Sequence, residues 1–197
     1  MGVFMVGICP EQGRHRTTRG TRKQDIADPL PSMSCRRGNM AGMANYEQIR
    51  KFADEHADQA RIIEHETAIV DLESGAKVFD VTKAAATYIV EAKEGVFAVV
   101  ASAAGHLKWR PLGRALGLHQ IHLASPEVVK ERTGYDVGTV GPLFLGDVRM
   151  FFDRRLLEHD FVYCGTEDEH HTLAIEPRLI IDSNDIAGYF DSAEFLK

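Results

Sequence analysis

Runs of β-forming residues alternate with helix signals along most of the chain, and this alternation limits the available folds more than any other feature. The clearest strands span residues 84–91 and 96–102, separated by a turn sequence typical of a hairpin. The clearest helix has Ser125 as its cap, Pro126 at its first position and Gly134 at its end. Strands outnumber helices. We therefore predict an α/β (α+β) fold, a single domain with one mixed sheet and flanking helices.

The remaining elements follow from the same local signals. Asn45 is a good N-cap with Gln48 at the capping-box position, and Gly117 is placed to end a short helix. Residues 70–81 are ambiguous, and one interpretation is a short helix broken near Gly75. The other predicted elements are a helix at residues 109–116, strands at 61–65, 119–123 and 148–152, a hairpin-like pair at 160–164 and 172–175, a turn after Pro177, and a helix at 185–190.

Residues 1–42 differ in composition from the rest of the chain. They are rich in arginine, glycine, proline, serine and threonine without a sustained apolar period, so we predict a disordered segment or an extension from a mis-set start codon. A basic arm that binds RNA is the functional alternative. Seven basic and three acidic residues give this segment a charge of +4; since the whole chain carries -6, the other 155 residues carry -10. We assign the functional domain to residues 43–197.

The acidic body and the cysteines limit the classes of function. Non-specific binding to duplex DNA needs a large basic face, so we exclude that partner, but a small basic patch for the end of a nucleic acid stays open. Cys9, Cys35 and Cys164 are widely spaced and odd in number, which is typical of reduced thiols. The sequence lacks a signal-peptide pattern and a run of transmembrane length. We therefore expect a cytoplasmic protein with no membrane partner.

Potential metal ligands cluster near the end of the chain, but their pattern does not favour a metal site. Their order matches no standard zinc spacing, and acidic and histidine residues at a hairpin turn are usually solvated. We therefore predict no metal and no cofactor. Cys164, at the end of a β-run, is predicted to be buried and inert. The cluster consists of Cys164, Glu167, Asp168, Glu169, His170 and His171.

Two groups of basic residues are candidate contacts for an anionic substrate. Lys83 opens an apolar strand; it is either a strand-edge residue that opposes aggregation or a ligand for phosphate or carbonyl. Lys108 and Arg110 flank Trp109, with Arg114 one helical turn further, and cations beside an aromatic ring can hold the end of a nucleic acid. The alternative for this second group is a surface helix whose tryptophan packs on the core.

Three glycines and one proline fall within nine residues, between a predicted helix and a predicted strand. Gly134 is explained as a helix C-cap, whereas the later residues are not needed for that role. A loop of this composition can aim its backbone N–H groups at an oxyanion or a phosphate, although it can also be a simple connector. We call residues 138–142 the glycine loop. Its members are Gly138, Thr139, Val140, Gly141 and Pro142.

The order of these features carries more information than any one of them. A lysine opens a strand, and a hairpin and a basic helix follow. Next come LASPEVV at residues 123–129, a Thr-Gly pair, the pattern GxxxP, and MFFDRRL at residues 150–156. This order resembles the YbaK/ProX family of aminoacyl-tRNA editing domains, which includes the editing insertion of bacterial prolyl-tRNA synthetases. The resemblance runs from about residue 46 to 185 and is best over 123–156.

The resemblance implies a strongly curved mixed sheet and a hydrolase that cleaves the ester between a wrong amino acid and tRNA. The implied substrate is tRNA-Pro carrying alanine, cysteine or another small amino acid, and prolyl-tRNA synthetase is a candidate partner. Lys83 and Gly138 correspond to residues tied to activity in the family, and Pro142 shapes the loop. Asp153 corresponds to a strand-end aspartate, structural first and site-lining second.

The chemistry of an aminoacyl ester agrees with this set of residues. The ester is already activated, so an enzyme needs to position the terminal adenosine, stabilise an oxyanion and admit water, without a Ser-His-Asp triad. On this interpretation Lys108, Arg110 and Arg114 contact the acceptor end of the tRNA. Two alternatives stay open: a non-catalytic module that binds tRNA or a synthetase, and a small-molecule hydrolase that uses the region of His170 and His171.

Overall fold

Eight strands and five α-helices follow one another along residues 45–69 and 72–196, the part of the chain described by the computed structural model. The prediction for residues 1–42 lies outside the described residues. Within the described part, no helix is long and apolar enough to cross a lipid bilayer. The elements are α1 (Tyr46–Glu55), β1 (Ala60–Glu64), α2 (Leu72–Gly75), β2 (Ala85–Ala92), β3 (Gly95–Ser102), α3 (Trp109–Leu116), β4 (His122–Leu123), α4 (Pro126–Thr133), β5 (Arg149–Asp153), β6 (Val162–Cys164), β7 (His171–Ile175), α5 (Pro177–Asp182) and β8 (Ile186–Phe190), with short 3-10 helices at Val81–Lys83, Arg154–Glu158 and Ser192–Glu194.

The strands form a mixed five-stranded sheet and an antiparallel three-stranded sheet. The mixed sheet has the order β4-β2-β3-β5-β8, in which β3, β5 and β8 run parallel; the smaller sheet has the order β1-β7-β6. A parallel bridge between Ala84 and Tyr163 joins β6 to the start of β2. The predicted class, a mixed sheet with flanking helices, is confirmed, although the strands are divided between two sheets. The strong curvature stays a prediction.

Apolar side chains are buried on both faces of the mixed sheet, because alternate residues of a strand point to opposite sides. Ala98 and Val100 of β3 join a larger core together with the three-stranded sheet, α1, α4 and α5. Val99 and Ala101 join a second core with α3 and the segment after β8. We call the face of the mixed sheet that packs with the three-stranded sheet the inner face. The opposite face, which packs with α3, is the outer face.

The predicted caps define the helix ends. The Asn45 side chain accepts a hydrogen bond from the Gln48 N–H at 2.9 Å, which satisfies one of the free donors at the start of α1. Ser125 caps α4 in the same way. Gly117 and Gly134 end α3 and α4 with φ values of 73° and 81°, in the left-handed region that glycine tolerates best.

The predicted helix at residues 185–190 is wrong. Ile186–Phe190 forms β8, which pairs in parallel with β5. Its isoleucine and aromatic residues suit a strand, and the edge of β5 supplies a partner that local sequence does not reveal. The predicted turn after Pro177 is the helix Pro177–Asp182, with proline at its N-terminus. The strand predicted at 119–123 is limited to His122–Leu123.

Candidate active site

Lys83 ends the 3-10 turn that precedes β2. Asp80 caps this turn, since its carboxylate accepts hydrogen bonds from the Thr82 hydroxyl at 2.6 Å and the Thr82 backbone N–H at 3.0 Å. The pKa of Asp80 lies below its ordinary value. The main cause is the hydrogen bond from the Thr82 hydroxyl, followed by the bond from the Thr82 backbone N–H and the positive charge of Lys83. Lys83 is half-buried and forms no ion pair with another described residue. Its charge is therefore available to a ligand.

The residue after the lysine fixes the position of this turn. Ala84 forms the bridge to Tyr163 of β6, and its carbonyl accepts a hydrogen bond from the Ala103 N–H at 2.9 Å. The ring of Phe79 stacks on Tyr163 with 4.7 Å between ring centroids. The start of β2 is thus held between β6 and the end of β3.

Two side chains anchor the ends of the glycine loop. Tyr135 is fully buried, and its hydroxyl donates a hydrogen bond to the Leu143 carbonyl at 2.8 Å. Burial raises the pKa of Tyr135, so this hydroxyl stays protonated and continues to donate. Asn184 donates from its side-chain amide to the Pro142 carbonyl at 2.9 Å. These bonds hold the two ends of the loop in the folded body.

Gly141 lies directly against the backbone that follows β6. A Cβ at this position would overlap the carbonyl oxygen of Gly165 and lie 3.0 Å from the Tyr135 hydroxyl oxygen. The reverse also holds, because a Cβ on Gly165 would lie 2.6 Å from the Thr139 carbonyl oxygen. The two backbones approach so closely that only glycine fits at both positions.

Gly138 is a glycine for a different reason. Its φ is +102°, and a Cβ there would meet no atom within 4 Å. The residue is exposed, so open space lies in front of the backbone. Thr139 closes a tight turn, because its N–H and hydroxyl both donate to the Asp136 carbonyl, at 3.2 and 3.1 Å. Among the described residues, the N–H groups of Gly138, Val140 and Gly141 have no hydrogen-bond partner.

We call the 3-10 turn Val81–Lys83 the lysine turn; it and the glycine loop lie against neighbouring residues at the end of β6. Ala84 pairs with Tyr163, and the loop packs on Gly165, two residues further along. That separation corresponds to about 7 Å along an extended chain. The turn that ends at Lys83 and residues 138–142 therefore pack against neighbouring parts of the chain, and a shared pocket for the two stays a prediction.

Asp153 is a structural junction at the end of β5. Its side chain is completely buried, and its two oxygens accept hydrogen bonds from the backbone N–H groups of Ser102, Arg155 and Ser192 at 3.0 to 3.1 Å. Both carboxylate oxygens therefore already accept hydrogen bonds from backbone N–H groups of the protein. These bonds support the structural role of Asp153, and its role in lining the site stays a prediction.

Lys108 is the N-cap residue of α3, and Arg110 and Arg114 lie within it; together these cations of α3 lie on the outer face of the mixed sheet. Lys108, Arg110 and Arg114 are exposed, while Trp109 is half-buried and meets the Tyr88 ring edge-on at 5.2 Å between centroids. This packing fits the surface-helix interpretation. The glycine loop belongs to the opposite side, where its valine packs on the inner core. The structure does not bring these cations together with the loop, and their contact with tRNA stays a prediction.

The turn between β6 and β7 is held by its own polar groups. Asp168 accepts a hydrogen bond from the His170 N–H at 2.7 Å, which is the main cause of its lowered pKa, and lies 3.1 Å from His171 Nδ1. Cys164 is buried as predicted, and burial raises the pKa of its thiol, so no reactive thiolate forms there. Within residues 45–69 and 72–196, no group of three or more histidine, cysteine or acidic residues is arranged to hold a metal ion.

Several residues that shape the site are not evident from local sequence. Gly165 carries one signal, a glycine directly after a β-run, but its contact with the glycine loop is tertiary. Glu167 extends that contact, since its N–H donates to the Thr139 carbonyl at 3.0 Å and its carboxylate accepts from the Tyr46 N–H at 2.9 Å. The link between Asn184 and Pro142 spans 42 residues and has no sequence signature.

Comparison with known proteins relates this site to a family. The family model described as an aminoacyl-tRNA editing domain matches residues 64–182, more than half of the chain. Among solved structures, the hypothetical protein APE2540 is 24% identical with a TM-score of 0.63, and 75% of this chain matches 98% of that one. A proposed trans-editing enzyme for prolyl tRNA synthetase is 17% identical with a TM-score of 0.64, and 76% of this chain matches 98% of that one. At these identities the two structures establish a shared fold. The family match covers β2 to α5, including Lys83 and the glycine loop, and the chain belongs to the aminoacyl-tRNA editing domain family.

Proposed function

We propose that this protein is a trans-acting aminoacyl-tRNA deacylase, which hydrolyses the ester of tRNA-Pro carrying alanine, cysteine or another small amino acid. The observation that supports the proposal is that Ala84, directly after Lys83, pairs with Tyr163 while the glycine loop packs on Gly165, in a chain that belongs to an editing-domain family. The similar trans-editing protein is matched over 98% of its own length, so the shared fold covers nearly the whole of that protein's chain.

The proposed reaction breaks the bond between the acyl carbon and the ribose oxygen. Water supplies the hydroxyl group that completes the free amino acid, and its remaining proton goes to the ribose oxygen of the terminal adenosine. The ammonium group of Lys83, which forms no ion pair with another described residue, binds the terminal phosphate or the ester carbonyl. A cation at the carbonyl stabilises the negative charge that develops as water adds, and it does so most strongly in a partly buried position.

The glycine loop supplies the second half of the proposed site. The N–H groups of Gly138 and Val140, which have no partner in the described part of the chain, are donors for the oxyanion, and the open space in front of Gly138 admits the amino acid of the substrate. Thr139 is committed to the turn, so its contribution is to hold the loop shape. No serine or cysteine nucleophile is needed, because the aminoacyl ester is already activated.

The proposed partners are the acceptor end of aminoacyl-tRNA and a protein that delivers it. The exposed cations of α3, Lys108, Arg110 and Arg114, are the proposed contacts beyond the terminal adenosine. The chain carries a net charge of -6, so long-range attraction to tRNA is weak. Prolyl-tRNA synthetase is therefore the proposed delivering partner, and the cytoplasm is the proposed location.

The test is hydrolysis of tRNA-Pro charged with alanine, cysteine or serine. We expect wild-type turnover of at least one of these esters, and we expect Lys83→Ala to lower kcat/KM by about 100-fold or more, the range for loss of an oxyanion-stabilising group. Lys93→Ala, which removes an exposed lysine on the β2–β3 turn, is the matched control and should retain full activity. Unchanged turnover in Lys83→Ala would contradict the role of this lysine. Tight binding of tRNA without hydrolysis by the wild type would favour the non-catalytic module.

A further inference from the structure

Two basic residues differ from the other lysines and arginines in the described part of the chain. Lys83, Arg132 and Arg155 are half-buried, whereas every other lysine and arginine within residues 45–69 and 72–196 is exposed. Arg132 pairs with Asp147 at 2.9 Å. The side-chain charges of Lys83 and Arg155 form no hydrogen bond, ion pair or ring contact with another described residue. A charge that loses water without gaining a partner is unfavourable, so we expect a ligand to supply the partner.

Both residues lie at the same edge of the mixed sheet. Lys83 comes just before β2, whereas Arg155 comes just after the end of β5. Because β2 runs antiparallel to β3 and β3 runs parallel to β5, the start of β2 and the ends of β3 and β5 lie at one edge. The strands β2 and β5 are two strand spacings apart, roughly 10 Å. The carboxyl ends of parallel strands are the usual place for ligands in open sheets.

A set of hydrogen bonds fixes the backbone at this edge. The Ala103 N–H donates at 2.9 Å to the carbonyl of Ala84, the residue that follows the lysine turn. The neighbouring Ser102 N–H donates to the Asp153 carboxylate at 3.0 Å, and the Arg155 N–H donates to the same carboxylate at 3.1 Å. Asp153 therefore accepts from backbone N–H groups and not from the guanidinium group two residues further along.

The two cations suit two different groups of the proposed substrate. The planar guanidinium group of an arginine can donate two parallel hydrogen bonds to the oxygens of one phosphate, whereas the ammonium group of a lysine acts as a point charge. The phosphodiester that joins the terminal adenosine to the preceding nucleotide carries a full negative charge. The ester carbonyl gains charge only as water adds. The arginine is therefore the better partner for the phosphate, and the lysine is left for the carbonyl.

From these observations we propose that Arg155 binds the phosphodiester on the 5′ side of the terminal adenosine, which leaves Lys83 for the ester carbonyl. The inference rests on the proposed deacylase function, although its phosphate half can be tested by binding alone. The adjacent Arg154 is a matched control. It belongs to the same 3-10 helix and carries the same charge, but it is exposed, and its guanidinium group lies 5.5 Å from the centre of the Tyr189 ring.

The first experiment measures binding of the full chain to the trinucleotide CCA and to a CCA whose last linkage is an uncharged methylphosphonate. We expect the wild type to bind CCA about tenfold more tightly than the analogue, as for loss of a hydrogen bond to a charged group. Arg155→Ala should bind both trinucleotides equally, and Arg155→Lys should keep part of the preference. Arg154→Ala should keep all of it. The wild-type comparison needs no variant, and urea denaturation checks that each variant is folded.

Deacylation kinetics then separate the two cations. Arg155→Ala should raise KM for the charged tRNA about tenfold with kcat nearly unchanged, whereas Lys83→Ala should lower kcat. Equal affinity of the wild type for the two trinucleotides overturns the proposal, and so does a phosphate preference that survives in Arg155→Ala. If the wild type shows the preference but hydrolyses no ester, the deacylase function fails and the phosphate site stands. If the wild type hydrolyses the ester and Arg155→Ala leaves KM unchanged, the role of Arg155 fails and the deacylase function stands.

Discussion

The glycine loop and helix α3 both attract attention in the sequence, but the fold places them in opposite settings. The loop is held on the inner side by the Tyr135 hydroxyl, the Asn184 amide and close backbone contact with Gly165. The cations of α3 are exposed on the outer side, whereas Trp109 and Leu112 of the same helix pack into the second core. A residue whose identity is imposed by its neighbours tolerates little change, whereas an exposed cation can be replaced at little cost in stability.

The loss of Asp153 should have the largest effect, because its side chain joins the ends of β3 and β5 to the segment after β8. Asp153→Ala leaves two buried and one partly buried backbone N–H groups without their acceptor, and we expect it to lower the free energy of unfolding by roughly 3–5 kcal/mol. Urea denaturation measures this, and Asp153→Asn, which keeps one acceptor oxygen, should cost less. Unchanged stability combined with loss of deacylation would instead assign Asp153 to the substrate site.

Gly141 and Gly138 of the glycine loop should differ in how much an alanine substitution destabilises the protein. Gly141→Ala forces a methyl group into the Gly165 carbonyl, and we expect a loss of roughly 2–3 kcal/mol in the free energy of unfolding. In Gly138→Ala the new methyl group meets open space, and only the strained φ of alanine at this position is unfavourable. We expect this variant to lower the free energy of unfolding by about 1–2 kcal/mol. Urea denaturation of both variants measures the difference. Equal costs would mean that the loop does not pack on Gly165.

The pH dependence of stability should report the burial of Cys164 beneath the loop. Burial raises the pKa of this thiol in the folded state, so its contribution is fully present below the unfolded pKa, about 8.5, and declines as pH rises above it. We expect the wild type to lose roughly 1 kcal/mol more per pH unit than Cys164→Ala between about pH 8.5 and 10. Denaturation midpoints across this range measure the slopes. Parallel curves for the two proteins would contradict the burial of the thiol.

The cations of α3 should give the smallest effect on stability. Replacing Lys108, Arg110 and Arg114 together with alanine should change the free energy of unfolding by less than about 0.5 kcal/mol, since all three are exposed. If they contact tRNA, KM should rise and its salt dependence should weaken, with kcat unchanged. Deacylation kinetics at two salt concentrations measure KM, its salt dependence and kcat separately. A loss of kcat would show that the outer face takes part in the chemistry.

Local signals predicted well those features that depend on neighbours in the chain. The caps at Asn45, Gly117 and Gly134 and the hairpin of β2 and β3 formed as predicted, because caps and two-residue turns are set by a few consecutive residues. The helix predicted at residues 185–190 failed, because Ile186–Phe190 becomes a strand only beside β5. The outermost strand of a parallel arrangement depends on a partner from elsewhere in the chain.

The features of the candidate site can likewise be divided into those visible in the sequence and those that only the tertiary structure shows. The sequence alone determined which residues are unusual, since Lys83 stands at the start of an apolar run and Gly138 and Gly141 crowd one loop. It also determined the family, through the order of these features and the model match over residues 64–182. Only the tertiary structure decided that the lysine turn and the loop share β6 while α3 lies across the sheet. The physical reason is that backbone contact at Gly165 and bridge pairing at Tyr163 join segments far apart in the chain, and no local pattern encodes such contacts.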